Sequence, residues 1–123
     1  MGNPTRAIKA SIVVRVAVEG FHRWPNAPDK HDYLRERHRH LFVIEAVKPV
    51  TSLDREVEII EFGREIRHFI TRNSGAPAEF GPLSCEQIAA MLVHTFQLSR
   101  CSVMEDGENG AEVVVDETGL PTA

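Results

Sequence analysis

Residues 9 to 19 read "KASIVVRVAVE", and the alternation of side chains in this stretch decides the fold. β-branched apolar residues recur at every second position from 12 to 18, while Ser11, Arg15 and Glu19 fall on the opposite face. The apolar set is Ile12, Val14, Val16 and Val18. A period of two is typical of a strand with one buried face. The stretch therefore predicts a first strand that packs one face on a core.

A second strand is predicted at Leu41 to Val47, where β-branched and aromatic residues are again enriched. Residues 20 to 37 connect the two strands and are rich in Pro, Asn and Asp. We therefore expect a long irregular connection. Connections of this length in a small domain are usually functional or disordered.

Two helices follow. From Glu61 the apolar residues recur with a helical period, which predicts an amphipathic helix ending near Arg72 and Asn73. Residues 73 to 82, "NSGAPAEFGP", read as a loop. Ser84 and Gln87 then form an S-x-x-Q capping box at the start of a second helix. Its predicted buried stripe is Ile88, Ala89, Leu92, Val93 and Phe96.

Two last strands are predicted at residues 100 to 105 and 111 to 116, joined by a turn in which Gly107 and Gly110 suit positive φ angles. The order ββααββ indicates an α+β fold, an antiparallel sheet with both helices on one face. All 123 residues fit one domain with a core at about 9 to 116, and we expect both ends to fray. Unpaired sheet edges favour a homo-oligomer.

Composition excludes several classes of protein. Fourteen basic and eighteen acidic residues give a net charge of −4, which argues against a nucleic-acid-binding chain. No apolar run is long enough to span a bilayer, so we expect no membrane partner. Cys85 and Cys101 have no CxxC spacing, and we see no signal peptide. We therefore expect reduced thiols, no disulfide and a cytoplasmic location.

The stretch "HRH" at residues 38 to 40 raises the question of a metal site. On a strand His38 and His40 point to the same side, which is a chelating geometry. His22 follows the first predicted strand and is a candidate third ligand. Three imidazoles with an open fourth position are typical of catalytic zinc. The alternative is that His22 caps a loop and that the pair is exposed on the surface.

Four motifs together resemble one known family. They are "VEGFHRWPNAPDKH…RHRHLFVIEAV", "IIEFGREIRHFI", "PLSCEQIA" and "SVMEDGENGAEVV". They are similar, in order, to the motifs of the 6-pyruvoyl-tetrahydropterin synthase and 6-carboxytetrahydropterin synthase family, over residues 11 to 115. That family's pattern is F-x-A-x-H-x-L-P, a loop, H-G-H, a D-F-x-x-L-K helix opening, P-T-S-E-x-L-A and a strand with a glutamate.

The resemblance implies a tunnelling fold, or T-fold, whose ββααββ subunits join into a barrel of three or six chains. It implies zinc bound by His22, His38 and His40. It also implies a carbon–oxygen lyase acting on a pterin, such as a dihydroneopterin triphosphate-like compound, or a related purine-derived compound of deazapurine biosynthesis. By position Glu105 would accept hydrogen bonds from the ring, as a carboxylate can, and we assign Glu86 to the same substrate. Without the resemblance, Glu105 reads as an exposed carboxylate at a strand end.

The sequence departs from this family at the general base. The family's cysteine before H-G-H and its D-H-x-x-L-N segment are both missing, and Arg39 replaces the glycine of H-G-H. The nearest substitutes in the loop are His31, Tyr33 and Glu36, although all three also read as ordinary loop residues. Losing a positioned base costs roughly 10²- to 10⁴-fold in rate.

Three hypotheses follow. The first is a zinc-dependent enzyme with a non-standard base, and the second is a metal- and pterin-binding protein without turnover. The third, a nucleic-acid binder using Arg35, Arg37 and Arg39, is disfavoured by the acidic total. Cys85, in the first turn of a helix, is a conceivable nucleophile because the helix dipole favours a thiolate, but the sequence shows no partner for it.

Overall fold

The computed structural model describes residues 6 to 116, which form one five-stranded sheet and two helices. The predicted fraying of the two ends lies outside these residues. In chain order the elements are β1 (Ala10–His22), a 3-10 helix (Asp29–Leu34), β2 (His38–Val50), α1 (Ile59–Ser74), β3 (Ala78–Gly81), α2 (Cys85–Phe96), β4 (Arg100–Glu105) and β5 (Asn109–Val114). The α+β class is therefore confirmed.

The sheet has the strand order β3-β1-β2-β4-β5. Three neighbouring pairs are antiparallel, and the longest of them joins β1 to β2 from Ala10 opposite Val50 to His22 opposite His38. The fourth pair, β1 with β3, is parallel. The sheet is thus mixed, not purely antiparallel as the sequence predicted.

The core lies between the inward face of the sheet and the two helices. The predicted alternation in β1 is confirmed, because its even-numbered residues are the more buried ones. Phe42, Ile44, Ala46, Cys101 and Val103 line the central strands and are fully buried. The predicted stripe of α2 is also buried, except that Phe96 is only partly covered. In α1 the buried residues are Phe62, Ile66 and Ile70, and Phe69 is partly covered.

The start of each helix is set by a side-chain cap. In α2 the predicted capping box is confirmed, with the Ser84 hydroxyl accepting from the Gln87 N–H and the Gln87 side chain accepting from the Ser84 N–H. In α1 the carboxylate of Glu58 accepts from the N–H groups of Ile60 and Glu61. This cap begins α1 two residues before the predicted position.

Residues 73 to 82 are not only a loop, because β3 lies within them. Its four residues are too few for a clear period, and pairing with β1 forms the strand. The region from 20 to 37 is likewise less irregular than predicted. Pairing extends β1 to His22, and a 3-10 helix occupies part of the remainder.

The turn between β4 and β5 is tight. Asp106 and Gly107 both have positive φ, 57° and 72°, and the Glu108 N–H donates to the Glu105 carbonyl. The prediction for Gly107 is confirmed. The prediction for Gly110 is wrong, because Gly110 is part of β5. A Cβ atom there would lie 1.9 Å from the Val103 carbonyl oxygen, so close strand contact is the reason for glycine.

Within residues 6 to 116, neither helix combines the length and the apolar character that crossing a bilayer requires.

Candidate metal centre

The three histidines of the predicted site converge at one end of the β1–β2 pair. His22 ends β1 and lies opposite His38, the first residue of β2, while His40 lies opposite Gly20. One potential ligand atom from each histidine lies within 4.8 Å of the others. The three side chains could therefore hold a metal ion. His22 lies inside β1 and not beyond its end, so strand pairing itself aligns it with His38.

The cluster is on the helix side of the sheet because of strand parity. All three positions have the same parity as the buried residues of their strands, so the imidazoles point inward. Phe42, which is fully buried, forms the floor, with ring centroids 5.2 Å from His22 and 5.7 Å from His40. An apolar floor limits water below the imidazoles.

Backbone carbonyl groups fix the orientation of two of the rings. The Nδ1 atom of His22 lies 3.0 Å from the Leu83 carbonyl oxygen, and Nδ1 of His38 lies 2.9 Å from the Glu36 carbonyl oxygen. A carbonyl oxygen only accepts hydrogen bonds, so both Nδ1 atoms carry the proton and donate. The Nε2 atoms remain as the nitrogens available to a metal.

A carboxylate fixes the third ring. Nδ1 of His40 donates to Oδ2 of Asp106 at 2.8 Å, while Oδ1 of Asp106 accepts from the Leu41 N–H at 2.9 Å. These bonds, with the Leu41 bond contributing most, lower the pKa of Asp106. Metal-binding histidines typically donate their second ring N–H to a carbonyl or carboxylate in this way. All three histidines follow the pattern.

The Nε2 atom of His40 provides an independent indication. It is buried and has no hydrogen-bond partner among the described residues. Buried polar atoms are nearly always paired, so an unpaired one needs an explanation. A metal ion bound at this nitrogen would satisfy it. The residues present therefore fit a metal site.

Burial also keeps His22 in its metal-binding form. Desolvation lowers the pKa of His22, and the bond to Leu83 and the charge of Glu105 only partly oppose this. A lowered pKa favours the neutral imidazole near pH 7, and only neutral imidazole binds metals.

Glu105 directly faces two of the three histidines. It ends β4 on the inward face, with Oε2 at 2.9 Å from Nε2 of His22 and Oε1 at 3.5 Å from Nε2 of His40. The carboxylate thus faces the nitrogens that a metal would use. Its assignment to a substrate ring stays a prediction.

Cys85 is a neighbour of the site that the sequence did not reveal. Its Sγ atom lies 3.6 Å from Oε2 of Glu105 and donates to it. Burial, with the Glu105 charge second, raises the pKa of the thiol to about 12. The helix dipole was expected to favour a thiolate, but burial outweighs it. Both cysteines are free, and both are buried.

The loop candidates for a general base do not join the cluster. His31 lies 6.1 Å from the Trp24 ring and 6.2 Å from the Tyr33 ring, and Tyr33 is 69% exposed. Within residues 6 to 116 the structure gives neither of them a contact with the three histidines. Glu36 contributes only its backbone carbonyl. Glu86 is exposed on the first turn of α2 and stays a predicted substrate residue.

The three arginines near the histidines are paired within the chain. Arg35 contacts Asp29 at 2.8 Å, Arg37 binds Glu79 and stacks on Phe21, and Arg39 contacts Glu19 at 2.9 Å. Arg39 points away from the imidazoles, since its parity on β2 is opposite to theirs. Their charges are neutralised locally by partners in the chain.

Comparison with models of known protein families gives no match, and comparison with curated protein sequences gives none either. The resemblance to the tetrahydropterin synthases therefore rests on the motifs alone and stays a prediction.

Proposed function

We propose that this protein is a zinc-dependent homologue of the 6-pyruvoyl- and 6-carboxytetrahydropterin synthases, acting on a pterin or a related purine-derived compound. One observation carries the metal part of the proposal. Each of the three imidazoles offers a ligand atom within 4.8 Å of the other two, while the Nδ1 atoms donate to fixed acceptors. Burying imidazole nitrogens without a partner costs free energy, and a bound metal ion would supply that partner.

The motif order supports the choice of substrate. The histidines occupy the resembling positions, and the strand that resembles the family's glutamate strand brings Glu105 to the same pocket. When bound, zinc would polarise a carbonyl or hydroxyl oxygen of the substrate. The chain's own contribution is to orient the three imidazoles and to exclude water beneath them with Phe42.

The proposed base would come from the loop before β2. Histidine is the most frequent general base in enzymes, which makes His31 the first candidate, while Tyr33 would serve as an acid or as a lid. Tyr33 is mostly exposed, so the loop would have to close over the site to bring its hydroxyl to a substrate. Loop closure of this kind is a common step in catalysis.

We also propose that the chain forms a homo-oligomer of three or six copies. The sheet ends at β3 on one side and at β5 on the other. Unpaired strand edges readily pair with further chains. Native mass spectrometry would measure the number of chains, and a monomer at micromolar concentration would contradict this part of the proposal.

One observation favours a second candidate, a metal- and pterin-binding protein without turnover. The one thiol beside the site has a pKa raised to about 12, so it is a poor base near pH 7. In the part of the chain that the structure describes, the three loop candidates reach the histidines only through the Glu36 carbonyl. A binding protein needs the metal and the pocket but no base.

Elemental analysis of purified protein tests the metal. We expect about one zinc per chain, a strong loss in His38→Ala and in His40→Ala, and no loss in the matched controls His68→Ala and His94→Ala, which change exposed helix residues. Protein without metal, or variants that keep it, would contradict both candidates.

Incubation with dihydroneopterin triphosphate separates the two candidates. Product formation that disappears in His40→Ala supports the enzyme. Pterin binding by calorimetry without any product supports the binding protein. If the zinc-loaded protein neither binds nor converts pterins, the pterin assignment is wrong while the metal assignment stands.

A further inference from the structure

We infer that Glu105 is a fourth metal ligand, held in position by the thiol of Cys85, so that the centre binds its metal through three imidazoles and one carboxylate. This inference rests on the proposed metal function and deepens it. It concerns what completes the coordination of the ion, and it gives Glu105 a role different from holding the substrate ring.

The first argument is the contact between Glu105 and His22. Nδ1 of His22 donates to the Leu83 carbonyl, so Nε2 presents its lone pair unless a second proton is bound. Oε2 of Glu105 lies 2.9 Å from that nitrogen. Two electron-rich atoms this close repel each other without a cation between them. The cation is either a proton or a metal ion.

The second argument is that the same carboxylate faces His40. Its Oε1 atom lies 3.5 Å from the buried, unpaired Nε2 of His40. A proton on His22 would leave Nε2 of His40 unsatisfied. One metal ion would bind both nitrogens and the carboxylate. The metal explains both contacts with a single cation.

The third argument is distance. With bonds of about 2.0 to 2.1 Å, two ligands of a tetrahedral zinc lie about 3.3 Å apart. The two separations between Glu105 oxygens and histidine nitrogens, 2.9 Å and 3.5 Å, lie on either side of this value. The carboxylate thus stands at ligand spacing from both imidazoles.

The other carboxylate beside the histidines is already in use. Asp106 accepts from His40 and from the Leu41 N–H, so its two oxygens orient a ligand ring. Glu105 is different, because Cys85 is the one hydrogen-bond donor to its side chain among residues 6 to 116, apart from the imidazole contacts. A carboxylate that, among these residues, only a neutral thiol orients, and that faces imidazole nitrogens, can still bind a metal.

Cys85 acts here as a positioning residue. Its thiol is a neutral donor 3.6 Å from Oε2, supplied from the first turn of α2. Hydrogen bonds from such neighbours orient ligating carboxylates and are worth roughly 10- to 100-fold in metal affinity. With four protein ligands in place, a substrate would bind by displacing Glu105 or by raising the coordination number.

Competition with a chelator, measured on the full-length protein, tests the fourth ligand. We expect Glu105→Gln to weaken zinc binding at least 10- to 100-fold, in the same direction as His40→Ala. The matched control is Glu112→Gln, an exposed carboxylate on β5 that pairs with Arg100. Wild-type affinity in Glu105→Gln would overturn the inference. If Glu105→Gln kept wild-type affinity while His40→Ala lost its metal, the proposed metal function would still stand.

Cobalt(II) substitution tests the coordination and separates Cys85 from Glu105. We expect a four-coordinate visible spectrum without a sulfur-to-cobalt charge-transfer band. Azide should change the spectrum of Glu105→Gln much more than that of the wild type, because removing the carboxylate opens a position. An equal response of both proteins to azide, or a sulfur band lost in Cys85→Ser, would overturn the inference.

The role of Cys85 has its own readout. Cys85→Ser keeps a hydrogen-bond donor and should preserve the cobalt spectrum, whereas Cys85→Ala removes the donor and should shift it toward that of Glu105→Gln. Thermal unfolding of the metal-free variants measures any general loss of stability separately. Identical spectra in Cys85→Ala and the wild type would remove Cys85 from the assignment.

Discussion

The carboxylate of Asp106 accepts a hydrogen bond from Nδ1 of His40 at 2.8 Å and another from the Leu41 N–H at 2.9 Å. Asp106 sits at positive φ in the turn after β4, and its own N–H donates to the Leu41 carbonyl. The turn between the last two strands is therefore fixed to the strand that carries two of the three histidines.

Replacing Asp106 by Asn tests this connection. Asn tolerates positive φ, so the turn should survive. Its amide can still accept from Leu41, but its NH₂ group would then face the His40 N–H, and two donors cannot bond. We expect zinc affinity to fall roughly 10- to 100-fold, measured by chelator competition. Glu108→Gln, two residues further along the same turn, is the control, and equal affinity in both variants would contradict the role of Asp106.

The lowered pKa of His22 predicts how stability depends on pH. In the unfolded chain His22 titrates near 6.5, and burial lowers this pKa in the folded chain. The unfolded chain therefore binds more protons between the two values. The stability that neutral, buried His22 contributes is therefore present above its pKa in the unfolded chain, and it is lost as the pH falls through its pKa in the folded chain.

Urea unfolding of metal-free protein from about pH 7.5 to pH 5.5 measures this effect. We expect the free energy of unfolding to decrease as pH falls, with a smaller decrease in His22→Gln. His94→Gln, an exposed helix position, should keep the wild-type slope. A His22→Gln slope equal to that of the wild type would count against burial of a neutral imidazole.

Gly20 provides a test of packing beneath the site. A Cβ atom at Gly20 would lie 3.0 Å from the Phe80 ring and 3.1 Å from the Phe42 ring, both in the core. We expect Gly20→Ala to destabilise the protein by about 1–3 kcal/mol, because an overpacked core must shift.

Gly63 is the matched control for Gly20. It lies inside α1, with open space around an added Cβ. Gly63→Ala should therefore stabilise the protein by about 0.5–1 kcal/mol. Thermal or urea unfolding measures both changes in stability. If Gly20→Ala stabilised the protein as Gly63→Ala does, backbone propensity and not crowding would decide the outcome at Gly20.

The two thiols should be unreactive in the folded protein. Burial raises the pKa of both Cys85 and Cys101 from 9.0 to about 12, which lowers the thiolate fraction roughly a thousandfold. We expect iodoacetamide near neutral pH to label neither cysteine in the native state and both in urea, as measured by mass spectrometry. Rapid native labelling of Cys85 would contradict its burial beneath Glu105.

Local patterns in the sequence predicted most of the fold. The alternation in β1, the capping box at Ser84 and the positive φ at Gly107 each depend on a few neighbouring residues. β3 was missed because its four residues show no period and depend on pairing with β1. The true ends of β1 and β2 were missed for the same reason, since Gly20 in β1 and the His38–His40 stretch in β2 do not continue the apolar pattern, and the long ladder keeps them extended.

Local patterns likewise predict one part of the candidate site and not the rest. Strand parity predicts that His38 and His40 share a face, and the position of His22 after the first predicted strand predicts that it lies beside them. Asp106 and Cys85 were not predicted as partners, because they reach the site from other elements. The position of Glu105 against imidazole nitrogens follows from the register of β2 with β4, which no local pattern specifies.

The pairing of His22 with His38 also affects how the chain folds. These two residues close residues 23 to 37 into a loop, and Glu105 joins the same point from β4. A metal held by both strands would be a reversible cross-link that works only in the native register, since a slip of one residue turns the imidazoles outward. Metal concentration would then set the global stability of the sheet, by about 2.7 kcal/mol at a hundred times the dissociation constant.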